Sequence, residues 1–215
     1  MKMLIASLVL LSAFSANAGI LSTTPGNQQI QGVSIATSAS LTLNGNTETL
    51  SLLGSGLRSK KVIIANIPVY VAQLFATSSQ ANQFVRTDSG ALGSLSGVHT
   101  VVLSLTFLRN VDAPTVMQSF NDALKANNIS ATDADMAAFL QAVTQGSDPI
   151  QGKTMIFALE KNADGTESIT YEDTNGKDTT IQGTAGLTQR VMAIWLGTPA
   201  DSGLVTLKAS LLSGN

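Results

Sequence analysis

Hydrophobic and polar positions alternate from residue 33 onward: Val33, Ile35, Leu41 and Leu43 are separated by small polar residues, the period of a half-buried strand. Asn44-Gly45-Asn46 breaks the alternation with hairpin chemistry, so residues 48–53 are expected to return as the partner strand. Gly54 and Gly56 then predict a corner, since glycine permits positive φ or close backbone approach, and either would fix where Arg58 points. Apolar runs at 62–67 and 69–75 predict strand on both sides of Pro68. Proline cannot donate to a ladder, so a bulge or an edge is expected there. Residues 78–96 are small and polar, with helical character only around 81–85. Residues 98–108 read as a long β-branched strand with Val101, Leu103, Leu105 and Phe107 on one face.

The period then changes. Asp112 and Pro114 are a cap residue and an early proline, and Val116, Phe120, Ala123 and Leu124 fall on one side of the helix they predict, which ends at Asn127-Asn128. Thr132 or Asp133 caps a second helix carrying Met136, Phe139, Leu140 and Val143, which stops at Gly146. Strands at 154–159, 168–171 and 179–182 are joined by Asp164-Gly165 and Asn175-Gly176 turns. A helix follows Gly186, with Leu187, Val191, Ile194 and Trp195 inward. A last one spans 202–212 with Leu204, Leu207, Leu211 and Leu212. Hairpin-linked strands with inserted helix pairs predict an α+β fold, an antiparallel sheet covered by helices on one face. There is no internal repeat, and one domain over residues 33–215 accounts for the pattern.

Composition narrows the class. Of 215 residues, 44% are hydrophobic and only 12% charged, which excludes a disordered chain. A formal net charge of -2 leaves no electrostatic footprint for nucleic acid. The absence of cysteine removes disulfides and thiolate metal sites. Met1-Lys2, an apolar run over 3–14 and Ala16-Asn17-Ala18 form a secretory leader, with cleavage expected between Ala18 and Gly19. The run is shorter than the ~20 residues a membrane span needs, so no stable anchor is expected after cleavage; in a Gram-negative cell the mature chain would be periplasmic. Residues 19–32, rich in Gly, Ser, Thr and Gln without a period, read as a flexible N-terminal lead.

Residues 54–75, GSGLRSKKVIIANIPVYVAQLF, resemble the Gly-x-Gly-x-Arg…Val-Tyr-Val signature of the chalcone isomerase fold, particularly its bacterial secreted members. Phe107-Leu108-Arg109 before a helix is similar to the family's Phe-x-Arg-Asp element, with Asn110 replacing the acid. Ile194-Trp195-Leu196-Gly197, Leu207-Lys208 and Leu211-Leu212 resemble its closing helices. The resemblance spans about residues 41–214 and implies an open-faced β-sandwich. It also implies a site. The family's arginine falls on Arg58, its tyrosine on Phe120, its asparagine on Asn127, one threonine on Ala65 and a second Thr/Ser on Ile194. All three hydroxyl positions are thus apolar. Losing one preorganised donor from a charge-developing site costs about 2.7–4 kcal/mol, so intramolecular lyase activity is not expected.

What this leaves is a fixed cation over an apolar interior. A guanidinium facing such a cavity is costly unless paired and matches a carboxylate well. By resemblance to the fatty-acid-binding members, Arg58 with Tyr70 would take an apolar, fatty-acid-like anion, with Ala65, Phe120, Asn127 and Ile194 around it. The alternatives are an isomerase or lyase of another substrate using Arg58 electrostatically, and a structural or protein-contact role in which Arg58 pairs with an internal acid. No cofactor or metal is expected: His99, the one histidine, has no acid at ligand spacing. No motif bears on oligomeric state.

Overall fold

The structure, a computed structural model, describes residues 19–62 and 64–214. The leader expected at residues 1–18 lies outside the described residues. Among the described residues eight strands form one antiparallel sheet in which chain neighbours pair in order: β1 Leu21–Ile30, β2 Val33–Leu43, β3 Asn46–Val62, β4 Ala65–Thr77, β5 Thr100–Phe107, β6 Thr154–Lys161, β7 Glu167–Glu172 and β8 Asp178–Gly183. The helices are α1 Ala91–Ser94, α2 Ala113–Ala126, α3 Ala134–Gln145, α4 Leu187–Leu196 and α5 Ser202–Ser213, with 3-10 turns at Ser78–Gln83 and Leu95–Gly97. The expected α+β sheet with a helical layer is the observed architecture.

Side-chain alternation sorts the sheet into two faces. Tyr70, Leu74, Val101, Leu103, Phe157 and Tyr171 point to the main core, which α2, α3, α4 and α5 close with Phe120, Phe139, Trp195 and Leu207. Phe75, Val102, Ile156 and Ala158 point to the opposite face and pack with Ala36 and Leu41 of β2 and Leu50 of β3. The sheet curls so that its first strands fold back across that face. The Ala36 amide donates to Gln73 Oε1 at 2.7 Å, and the Ile20 amide donates to Glu172 Oε2 on β7 at 2.8 Å.

The helices follow their sequence signals. Asp112 caps α2 by accepting from the Thr115 amide at 2.7 Å, and Val116, Phe120, Ala123 and Leu124 are its buried residues. Asp164 and Asp173 bond turn amides, which accounts for acids at those corners.

Three expectations fail. Residues 19–32 are not a loose lead: β1 pairs with β2 from Leu21↔Leu41 to Ile30↔Val33. Its side chains are mostly exposed, so a strand held by backbone bonds at an edge shows no hydrophobic period. The apolar run at 62–67 hides a chain reversal, because β3 ends at Val62 and β4 begins at Ala65. No Asn-Gly or Gly pair marks that turn. Finally, Gly54 and Gly56 are not a corner but lie in mid-strand. Pro68 behaves as expected, beside a register shift where Arg58 pairs with Tyr70 and Ser59 with Pro68.

Candidate ligand cleft

Gly54, Gly56 and Arg58 occupy alternate positions on β3, opposite Leu74, Ala72 and Tyr70 of β4, and therefore face the helical layer. α5 lies directly on the two glycines. A Cβ at Gly54 would stand 2.0 Å from the Leu211 carbonyl oxygen, and one at Gly56 would stand 2.7 Å from Ser210 Cβ. Close backbone approach, not a turn, is what these glycines supply. At the other end of the lane Gly203, in the first turn of α5, covers Arg58: a Cβ there would meet Ser59 O at 1.8 Å and Arg58 Nη1 at 2.0 Å.

Arg58 is 4% exposed and is held at both terminal nitrogens. Nη2 donates to Asp201 Oδ2 at 2.7 Å, and Nη1 donates to the Ser59 carbonyl. Lys60, itself half exposed, donates to the same Asp201 oxygen at 3.1 Å. Asp201 also caps α5 by accepting from the Leu204 amide at 3.0 Å. Burial works against its charge, but the Leu204, Arg58 and Lys60 bonds and the Arg58 charge outweigh that and bring its pKa down to about 2.

Tyr70 lies across the ladder from Arg58. Its hydroxyl accepts from Trp195 Nε1 at 3.0 Å, and its ring stands edge-on to Phe107 with centroids 5.6 Å apart. Burial raises its pKa, against the pull of the Arg58 charge, so the phenol stays protonated at neutral pH. Beside these groups opens a cleft of about 270 Å³. Its floor is Leu105 and Phe107 of β5, Met155 of β6, and Val116 and Phe120 of α2. Arg58, Lys60 and Tyr70 stand at its wall, with Thr115, Ser119 and Asp122 of α2 on the other side. Asp122 is exposed and bonded by Gln118 at 2.8 Å.

Of the six residues singled out from sequence, Arg58, Tyr70 and Phe120 line this cleft. The other three lie apart. Ala65 is exposed where β4 leaves the hairpin, because the chain reverses between Val62 and Ala65 and leaves it away from the sheet centre. Ile194 is buried in α4 within the main core. Asn127 is the C-cap residue of α2 and ties two helix ends together. Its Nδ2 donates to Ala123 O at 2.8 Å, Thr198 O at 3.0 Å and Ala193 O at 3.2 Å, and its Oδ1 accepts from the Thr198 amide at 2.6 Å. Every polar position of that amide group is engaged in structure.

Asp201 and Lys60 are the functional neighbours that sequence reasoning missed. Asp201 is 143 residues from Arg58, a separation no local spacing reveals. The signal it does carry, Asp-Ser-Gly before an apolar helix, reads as a cap only. Trp195 was expected in the core and is there, but its indole N–H also fixes the phenol that faces the cleft.

A curled antiparallel sheet under a helical layer, with a small apolar cleft at whose wall an arginine stands, defines an open-faced β-sandwich with a cation at the wall of an apolar recess. A family profile described as chalcone isomerase-like matches residues 27–213, and the chain belongs to that family. No curated protein matches it. Among solved structures it is similar to a fatty-acid-binding protein of Arabidopsis thaliana, with a TM-score of 0.58 and 16% sequence identity, covering 86% of this chain and 94% of that one. At that identity the likeness is one of fold.

Proposed function

We propose that the protein is an exported, non-catalytic binding protein that takes a small apolar acid into the Arg58 cleft. One observation carries this reading: two cations, Arg58 and Lys60, share a single carboxylate, Asp201, at the edge of an apolar floor. Two positive charges against one shared negative leave one positive charge on that wall for a ligand, with Asp122 exposed on the wall across from it. A carboxylate arriving there gains charge-assisted bonds, while its chain covers Leu105, Phe107, Val116 and Met155. The volume of about 270 Å³ lies just below the ~300–1,000 Å³ usual for ligand pockets, which favours a short or medium chain over a long one. That a protein of the same fold binds fatty acids supports this ligand class.

Catalysis finds less support in the lining. Its ionisable groups are Arg58, Lys60, Tyr70 and Asp122. Tyr70 is held protonated and receives a bond from Trp195, and Asp122 is exposed. Among the described lining residues no buried carboxylate or histidine stands ready to move a proton.

The test is calorimetric titration of the folded protein with octanoate, decanoate and dodecanoate, and with the alcohols of equal length. The acids are expected to bind at least about tenfold more tightly than the alcohols, a charge-assisted bond being worth about 1.5–3 kcal/mol. Ser119→Trp, which fills the cleft from α2, is expected to abolish binding with the fold intact. Equal affinity for acids and alcohols, or binding unchanged by Ser119→Trp, overturns the proposal.

A further inference from the structure

The second face of the sheet holds an acid that no cation among the described residues answers. Glu172, at the end of β7, is 6% exposed. Its Oε2 accepts from the Ile20 amide at 2.8 Å, and no ion pair among the described residues includes it. Its charged neighbours are adverse. Burial raises its pKa; the Ile20 bond opposes this, while the charges of Asp178 and Asp173 push the same way as burial. Lys153 borders the same polar recess but is exposed and makes no ion pair with it. An ionised carboxylate so placed is costly without a partner.

The residue against it is Gly19. A Cβ on Gly19 would stand 2.5 Å from Glu172 Oε1 and 3.0 Å from Oε2, so a side chain has no room there. A nitrogen at that place would fit better, because charge-assisted N–H···O bonds are ~2.7–2.9 Å long. Within a continuous chain the Gly19 nitrogen is a neutral amide, committed to the peptide bond with Ala18. Cut after Ala18, it becomes an ammonium. The same cut frees it to turn about its own Cα–C bond and take the position a Cβ would occupy.

We propose that Glu172 is the receptor for the α-ammonium that processing at Ala18-Gly19 creates, so that removal of the leader supplies the missing cation of a buried ion pair. The proposal rests on the reading of residues 1–18 as a cleaved leader. It makes processing part of folding: before the cut the first strand is anchored on β7 by one neutral amide, and after it by that amide and a full charge. Position 19 must then be glycine for two reasons, the space beside the carboxylate and the small residue wanted after the cut.

The experiment compares two chains, one beginning at Gly19 and one retaining Ala18, each with Glu172 or with Glu172→Gln. The Gly19 amine, followed by NMR titration, is expected to have a pKa at least about one unit above the ~7.7–8.0 of a free α-amino group. Because the folded-state value is raised, the stabilisation is full below that ordinary range and is lost as pH rises through the raised value. At pH 7 the chain retaining Ala18 is expected to melt at least about 3 °C lower, and Glu172→Gln is expected to erase the difference. An ordinary amine pKa together with equal melting temperatures overturns the pairing. Should Glu172→Gln fail to fold, the two Glu172 chains still decide it. Mass measurement of the exported protein tests the leader reading separately: a first residue other than Gly19 overturns the role in maturation, whatever the two chains show.

Discussion

Replacing Asp201 by Asn separates two roles that one carboxylate performs. Asparagine caps helices about as well as aspartate, so the bond from the Leu204 amide survives and α5 keeps its start. What is lost is the charge facing Arg58 and Lys60. The Asp201 pKa drops from 3.8 to about 2, and at ~1.36 kcal/mol per unit the folded state favours its ionised form by about 2 kcal/mol. Part of that belongs to the retained cap bond, and at 28% exposure solvent screens part of the rest. Asp201→Asn should therefore cost about 1–2 kcal/mol, or about 2–8 °C in melting temperature for a domain of this size. Since the folded pKa is depressed, the contribution is full above the unfolded value near 3.8 and fades as pH falls through about 2; the two proteins should converge in stability over that window. Ligand affinity should move the other way. With the internal acid gone, Arg58 and Lys60 face the cleft with two unanswered charges, and decanoate should bind at least about tenfold more tightly. Thermal melts across pH and calorimetric titration at pH 7 read both effects. A variant that is as stable as the parent, or that binds decanoate more weakly, would refute the reasoning.

Two further substitutions test the neighbours. Tyr70→Phe removes the acceptor of the Trp195 indole and leaves that N–H buried without a partner, so equilibrium denaturation should show a loss of about 1–3 kcal/mol. Asn127→Ala removes bonds to Ala123, Ala193 and Thr198 and should lower stability by about 2 kcal/mol or more while leaving decanoate affinity unchanged. A change in affinity would return Asn127 to the site.

Where the hydrophobic period was strong, sequence and structure agree. The four inward residues of α2 and the alternating face of β5 were legible because burial on one side leaves a regular trace. β1 left none, since its strand character resides in backbone pairing with β2 and not in apolar side chains. The reversal between Val62 and Ala65 was hidden because the sequence across it is apolar, although Ile64 is almost fully exposed. The site was half legible. Arg58 and Tyr70 stand close in sequence and face each other across one ladder, so a motif could carry both. Asp201 is separated from Arg58 along the chain by five strands and four helices. Ala65 was placed by counting back from Tyr70 and falls on the exposed start of β4, and Ile194 was placed from Leu196-Gly197 and falls on the core side of α4.

The two glycines of β3 have a kinetic corollary. They leave a bare groove on the sheet that α5, far along the chain from β3, fills. Until that helix settles, the guanidinium beneath it has no counter-charge from Asp201. Any chain cut short before residue 201 would therefore lack both the helix over the glycines and the carboxylate opposite Arg58, leaving an open seam beside a cation with no acid to meet it.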